Sequence, residues 1–413
     1  MTSLQDIAQQ YVALVLATGQ HDPDYVDAYY GPPEWKAEAA ANPRTLADLD
    51  AHAEGLQQRL TAVGRDPGPR GDVREAEMLG LRKAYLKKQI GALRTRLAML
   101  GGTRMPFDEE SLALYDAAAR ERTEEEFRTA LELLSRLLSG TGSVLDRYVA
   151  FRDRYVVPPA CLPQVCEAAI GACRTRTVQA LRLPDGERFT LEFVTGKNWS
   201  GYNWYQGRFH SVIQINTDLP VHIDRAVDLA AHEGYPGHHA HNVLIEQHLV
   251  RERGWVEFTV YPLFSPQSLV AEGIANCAAD VVFSASERLA LEREVLFPLA
   301  GLDPATAPRY ATVSALVEKL SHAGTEAARR LLDGRLDDEG AVRWLEQYAL
   351  HSRPRAEQRV RFIRQFRTYV INYTRGRELV DAWMTRRSGE DRARRWANMG
   401  ELMSSPRLAS SLQ

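Results

Sequence analysis

Apolar residues recur at helical spacing along most of this chain. The pattern predicts helices over Ser3 to Thr18 and Leu46 to Val63. A long Leu- and Ala-rich helix follows over Glu75 to Leu100, stopped by Gly101-Gly102. Further helices are predicted over Thr123 to Leu138, over Ser143 to Tyr155, and from Pro158-Pro159 to about Leu181. His21 to Trp35 is broken by proline and glycine and reads as loop and turns. The character changes between Glu187 and Asn216. β-branched and aromatic residues separated by Gly and Asn predict two or three strands there, the one strand region of the chain. Beyond Asp218-Leu219-Pro220 the pattern is helical again over 221–235, 238–252, 266–293, 306–332, 336–349, 354–373 and 374–397, with a frayed tail after that. The expected fold class is mainly α: a large multi-helix body with a small β-sheet beside one helix. An N-terminal helical region, 1–182, and a second region, 183–413, are expected to pack as one body with a cleft.

Composition narrows the function more than the fold. The 413 residues are 45% hydrophobic and 25% charged, with a formal net charge of -3. The charges are scattered, and no basic stripe offers a nucleic-acid surface. No run approaches the roughly 18 apolar residues of a membrane span. Asp6 precedes the short apolar stretch Val12 to Ala17, where a secretion signal would carry positive charge. The expectation is a soluble, cytoplasmic protein without membrane partners. The cysteines Cys161, Cys166, Cys173 and Cys277 form no CxxC pair and read as free thiols.

The chemistry concentrates in His232-Glu233-Gly234-Tyr235-Pro236-Gly237-His238-His239. Ile223, Ala226, Val227 and Ala230 give the incoming helix an apolar face, and His232-Glu233 falls in its last turn. A zinc helix of the H-E-x-x-H kind needs its second histidine four residues after the first. Here that position is Pro236. In a straight helix His238 would point about 120° away from His232 and lie about 9 Å further along the axis. Pro236 removes a backbone donor and clashes with the carbonyl of His232, and Gly237 tolerates unusual backbone angles. A break there would carry His238 back toward His232. His238 is the preferred second ligand, with His239 as the alternative. His239 and His241 are also candidates to support the ligands. Glu272, in the apolar segment SPQSLVAEGIANCAADVVF, is the expected third ligand, because a lone buried carboxylate is costly unless paired or bound to metal. Two His and one Glu with an open position form a common catalytic zinc set. Asp280, eight residues on, could orient a ligand histidine.

The H-E-x-x-P-G-H-H run, the E-G-x-A helix from Glu272 to Ala275 and the segment YVINYTRGRELV together resemble the DUF885 family, over roughly Tyr205 to Leu379. The chain departs from that pattern at His241, where glutamine is common, and at Asn276-Cys277, where aromatic residues are more usual. The resemblance implies a metallopeptidase-like body, distantly related to HExxH peptidases of the oligopeptidase and thermostable carboxypeptidase types. It implies one Zn2+ held by His232, His238 and Glu272, and hydrolysis of a peptide or small amide. Glu233 is then the general base, and Tyr373, with Tyr369 one turn earlier on the helix starting near Pro354, the donor to the oxyanion. His351 and His322 are weaker candidates. In related enzymes an edge strand pairs with the substrate backbone, a role that falls here to Ile213–Asn216. Trp204, Tyr205 and Arg208 could line the cleft. Arg353, Arg355, Arg359 and Arg361 either bind a substrate carboxylate or form a solvated basic face. Two alternatives remain: hydrolysis of non-peptide amides or esters, and a helical binding protein with a degenerate site.

Overall fold

Side-chain caps start several of the N-terminal helices, whereas the helices that carry the candidate site begin without one. In the computed structural model, which describes residues 3–63 and 72–413, Ser3 accepts from the Asp6 amide while the Asp6 carboxylate accepts from the Ser3 amide. They open helix α1, Leu4–Thr18. Strand β1, Val26–Tyr29, follows. Asp72 caps the long helix α2, Val73–Leu100, which ends at Gly101 as its sequence predicts. The expected strand region gives β2 (Arg188–Val194), β3 (Gly201–Tyr205) and β4 (His210–Asn216). Then come α3 (Asp224–Leu229), α4 (His238–Ile245), β5 (Val260–Pro262) and α5 (Pro266–Val282). The last site-bearing helices are α6 (Arg353–Phe366) and α7 (Ile371–Ser388). The protein is mainly helical with two small sheets. Among the described residues no single helix is long and apolar enough to cross a membrane.

The expected helices 266–293, 306–332 and 374–397 are each broken in two, and three changes bear on the site. His21–Trp35 is not all loop: β1 pairs antiparallel with β5, with an irregularity between Val26 and Ala28 that leaves Asp27 out of register. Four residues are too few for an alternation to show, and the partner strand lies more than 200 positions away. Second, Ile213–Asn216 is not an edge. β4 is the central strand, parallel to β2 on one side and antiparallel to β3 on the other. β2 and β3 are the edges. Third, 354–373 is not one helix. α6 stops at Phe366, Arg367 takes a φ of 52°, and a tight turn at Arg367–Val370 leads into α7.

A continuous buried core joins residues from both ends of the chain. Arg82 of α2 meets the buried Glu257 at 2.6 Å, and Tyr85 donates to Gln267 at 2.6 Å. α5 and α7 cross glycine on glycine: a Cβ on Gly273 would lie 2.5 Å from the Gly376 carbonyl oxygen. That close approach puts Glu272 beside the tyrosines that precede and begin α7. The four cysteines are free thiols.

Candidate metal centre

Helix α3 does not simply end before the motif. It widens into one π-turn, Ala230–Gly234, that contains His232 and Glu233. Tyr235 then leaves in an extended conformation, and the Tyr235–Pro236 peptide is cis. The chain folds back so tightly that a side chain on Gly237 would overlap the His232 carbonyl oxygen. α4 restarts at His238. In place of the separation a straight helix would impose, the His232 and His238 rings stand 4.8 Å apart between centroids, at 82°. Pro236 and Gly237 thus act as the sequence predicts, while the π-turn has no sequence signal.

Glu272 completes the cluster from α5. Its Oε2 lies 3.4 Å from His232 Nε2, and its Oε1 lies 3.8 Å from His238 Nε2. One donor atom from each of the three residues lies within 4.8 Å of the other two. Zinc bonds of about 2.0–2.1 Å in a tetrahedron put ligand atoms roughly 3.4 Å apart. Two imidazole nitrogens and a carboxylate at these spacings therefore fit the ion's size and its preference for N and O donors. Burial alone would depress His232, but the charges of Glu233 and Glu272 outweigh it and raise its pKa. Burial lowers His238 to about 4, so its nitrogen is a neutral donor. Burial opposes the charged form of Glu272, yet His232 and His238 hold it below its ordinary value.

The Glu272 carboxylate is itself held. Tyr369 donates to Glu272 Oε1 at 2.8 Å, and the Asn276 side chain donates to the Glu272 main-chain carbonyl at 2.7 Å. Asn276 thereby supports the turn of helix that carries Glu272. Glu233 faces the same space, its Oε1 4.0 Å from His232 Nε2. Burial, with the nearby Glu272 charge, pushes Glu233 up to about 7. Asn203 of β3 donates to the Glu233 carbonyl at 2.8 Å, and a Cβ on Gly201 would sit 2.7 Å from Glu233 Oε1. The edge strand at the site is therefore β3.

No family model matches the chain, and no curated protein matches it. Two solved structures are similar at 12% identity. One is "the putative lipoprotein from Colwellia psychrerythraea", with a TM-score of 0.49 over 98% of this chain and 76% of that one. The other is "a putative lipoprotein of unknown function from Shewanella oneidensis", with a TM-score of 0.48 over 100% of this chain and 87% of that one. Likeness at that level bears on neither chemistry nor location.

The remaining sequence candidates separate cleanly. His239 turns away from the cluster. It is fully buried, its Nδ1 accepting from Ser211 at 2.8 Å and its Nε2 donating to Glu187 at 3.0 Å. His241 is buried on α4, where burial foremost lowers it to about 3. Asp280 does not orient a histidine: it is exposed and pairs with Arg377 at 2.8 Å, on the outer face of a helix whose other side stays buried through Val282. His322 pairs with Glu378. Tyr205 donates to Glu246 at 2.5 Å, the Arg208 amide donates to the same carboxylate, and Trp204 faces solvent. Tyr369 and Tyr373 stand ring to ring, 5.8 Å apart, in the tight turn and the first turn of α7. Tyr369 is committed to Glu272, whereas the Tyr373 hydroxyl has no hydrogen-bond partner among the described residues. Its pKa is raised by burial and by Glu272.

Sequence reading missed Asp27. It sits at the β1 irregularity and accepts from the Tyr202 hydroxyl. Burial and the charges of Glu272 and Glu233 raise it to about 8. The signal that could have found it is a lone aspartate between aromatic and β-branched residues in VDAYY.

Proposed function

We propose that this protein is a zinc-dependent hydrolase acting on peptides or closely related amides, and that its resemblance to the DUF885 family reflects this chemistry. The observation that carries the reading is the convergence of His232, His238 and Glu272 within 4.8 Å, with a separate carboxylate, Glu233, 4.0 Å from the first ligand. A structural cluster has no need of that fourth group.

His232, His238 and Glu272 would hold the ion, which when bound supplies a Lewis acid and a water of lowered pKa. Glu233 takes the proton from the attacking water and returns it to the leaving nitrogen. Tyr373, whose hydroxyl is uncommitted, donates to the oxygen that gains charge as the carbonyl is attacked. Tyr369 keeps Glu272 in place. The β3 backbone beside Glu233 is the strand edge against which an extended substrate would lie. The experiment is metal analysis of the purified protein, with a screen of peptides beside acyl amides and esters on wild type and Glu233→Gln. Stoichiometric zinc in both, with turnover of peptides in wild type alone, is the expected result. A protein that neither contains nor takes up a transition metal overturns the reading, and so does full activity in the variant.

A further inference from the structure

Helix α6 carries five arginines, Arg353, Arg355, Arg359, Arg361 and Arg364, with two different fates. Arg353 pairs with Glu339 at 2.5 Å and with Glu357 at 2.7 Å, and Arg364 pairs with Asp338 at 2.5 Å. Those pairs, with the exposed Arg361, form a solvated face. Arg355 and Arg359 lie one turn apart on another face, both half-buried. Neither makes an ion pair or a hydrogen bond among the described residues. What surrounds them is mostly positive or neutral. Burial lowers Arg355 to about 10, and Arg152, Arg225 and Arg359 push the same way, with only Tyr148 in its favour. Burial lowers Arg359 too, opposed by Tyr373 and Glu272. His351, at the start of this helix, is driven down by burial and by the same arginines. Half-buried guanidinium groups without a counter-ion are unfavourable in isolation, and a fork of N–H donors in that state is complementary to a carboxylate.

Arg359 also approaches the metal cluster, with Arg355 one helical turn behind it. The Arg359 guanidinium carbon lies 4.8 Å from the Phe362 ring centroid and 5.6 Å from that of Tyr373. These rings fix its plane. Tyr373 in turn stands against Tyr369, which holds the ligand Glu272. The Glu272 charge acts on both Arg359 and Tyr373, and the Arg225 charge acts on both Arg355 and Glu233. The carboxylates where a metal would bind therefore lie two tyrosine rings from an unpaired guanidinium.

We infer that Arg355 and Arg359 grip the free C-terminal carboxylate of the substrate, making the protein a carboxypeptidase-type hydrolase of peptides or acyl-amino acids. The inference rests on the hydrolase reading and adds to it the end of the substrate that is recognised. The step is ordinary hydrolysis: the water oxygen bonds to the carbonyl carbon, the C–N bond breaks, and the nitrogen takes the proton. No redox partner is needed.

The test uses N-acetylated dipeptides with varied C-terminal residues, each as the free acid and as the C-terminal amide. Calorimetric binding to the metal-free protein comes first, on wild type, R355Q, R359Q and the double variant. The acids should bind wild type at least tenfold more tightly than the amides, and the double variant should show no preference. Hydrolysis by the zinc-loaded protein comes second, with an acid-to-amide ratio in kcat/KM of a hundredfold or more that collapses toward one in the double variant. Equal binding of acid and amide to wild type overturns the inference, as does a preference that survives the double substitution. Equal turnover of both forms removes the carboxylate grip and leaves the hydrolase standing. A binding preference without turnover of either form keeps the grip and removes the hydrolase. Should the double variant fail to fold, the comparison in wild type decides.

Discussion

Two adjacent histidines on the first turn of α4 belong to two different kinds of charge network. On one side His239, Glu187, Tyr235, Ser211 and Arg174 satisfy one another. Glu187 accepts from Tyr235 at 2.5 Å, from His239 at 3.0 Å and from Arg174 at 2.5 Å, and Ser211 closes the far side of the ring. On the other side His238, His232, Glu272 and Glu233 are crowded carboxylates and imidazoles with too few donors among them. The nearby Arg355 and Arg359 have no acid to meet. The first network is complete within the protein and holds the motif to the sheet. The second is left incomplete, which is how a folded protein keeps an affinity for something it does not contain. Burial is similar on the two sides, so satisfaction of the polar groups, and not depth, distinguishes anchor from site.

That contrast predicts different losses on the two sides. The largest belongs to Glu233→Gln, which should keep the metal and lower turnover by about 10²–10⁴-fold, the usual contribution of a general base. Steady-state kinetics on the metal-loaded protein measures it, and an unchanged rate would move the base elsewhere. Next is Tyr369→Phe. Removing the donor to Glu272 Oε1 should weaken zinc binding by about 10–100-fold, read by competition with a chelator. On the anchor side, His239→Ala strips a buried carboxylate of one partner and should cost about 3 kcal/mol in chemical denaturation. The smallest effect is a pH dependence at Glu187. Burial alone would raise it, but hydrogen bonds from His239, Tyr235 and Arg174 hold it at about 2. A depressed folded pKa gives stability that is present above the ordinary carboxylate range and is lost as pH falls toward 2. The Tm gap between wild type and Glu187→Gln should therefore be widest near neutrality and narrow between about pH 5 and pH 2. A gap that stays constant would show that the carboxylate charge is not what stabilises the anchor.

What was legible beforehand follows the range of the interactions. His232, His238 and Glu272 could be read because the motif is local and because an acid in an apolar helix has few explanations. Pro236 and Gly237 announced the break, since their backbone constraints act within a few residues. Asp280 misled because eight residues turn a helix about 80° past the starting direction, enough to take the side chain from the cluster to solvent. Ile213–Asn216 misled because periodicity shows a strand and not its neighbours, and the central place of β4 depends on pairing with both β2 and β3. Asn203 and Gly201 were invisible for the same reason: they reach Glu233 through contacts across the sheet edge. Helical periodicity served the mainly α body well and placed helix ends poorly where a π-turn or a positive φ at Arg367 intervened.

The separation of site from anchor is tested most directly at the two neighbouring histidines. Zinc content per chain, measured by elemental mass spectrometry on wild type, His238→Ala and His239→Ala after identical loading and dialysis, should be one ion, none and one. Loss of zinc in His239→Ala with retention in His238→Ala, in folded proteins, would contradict it.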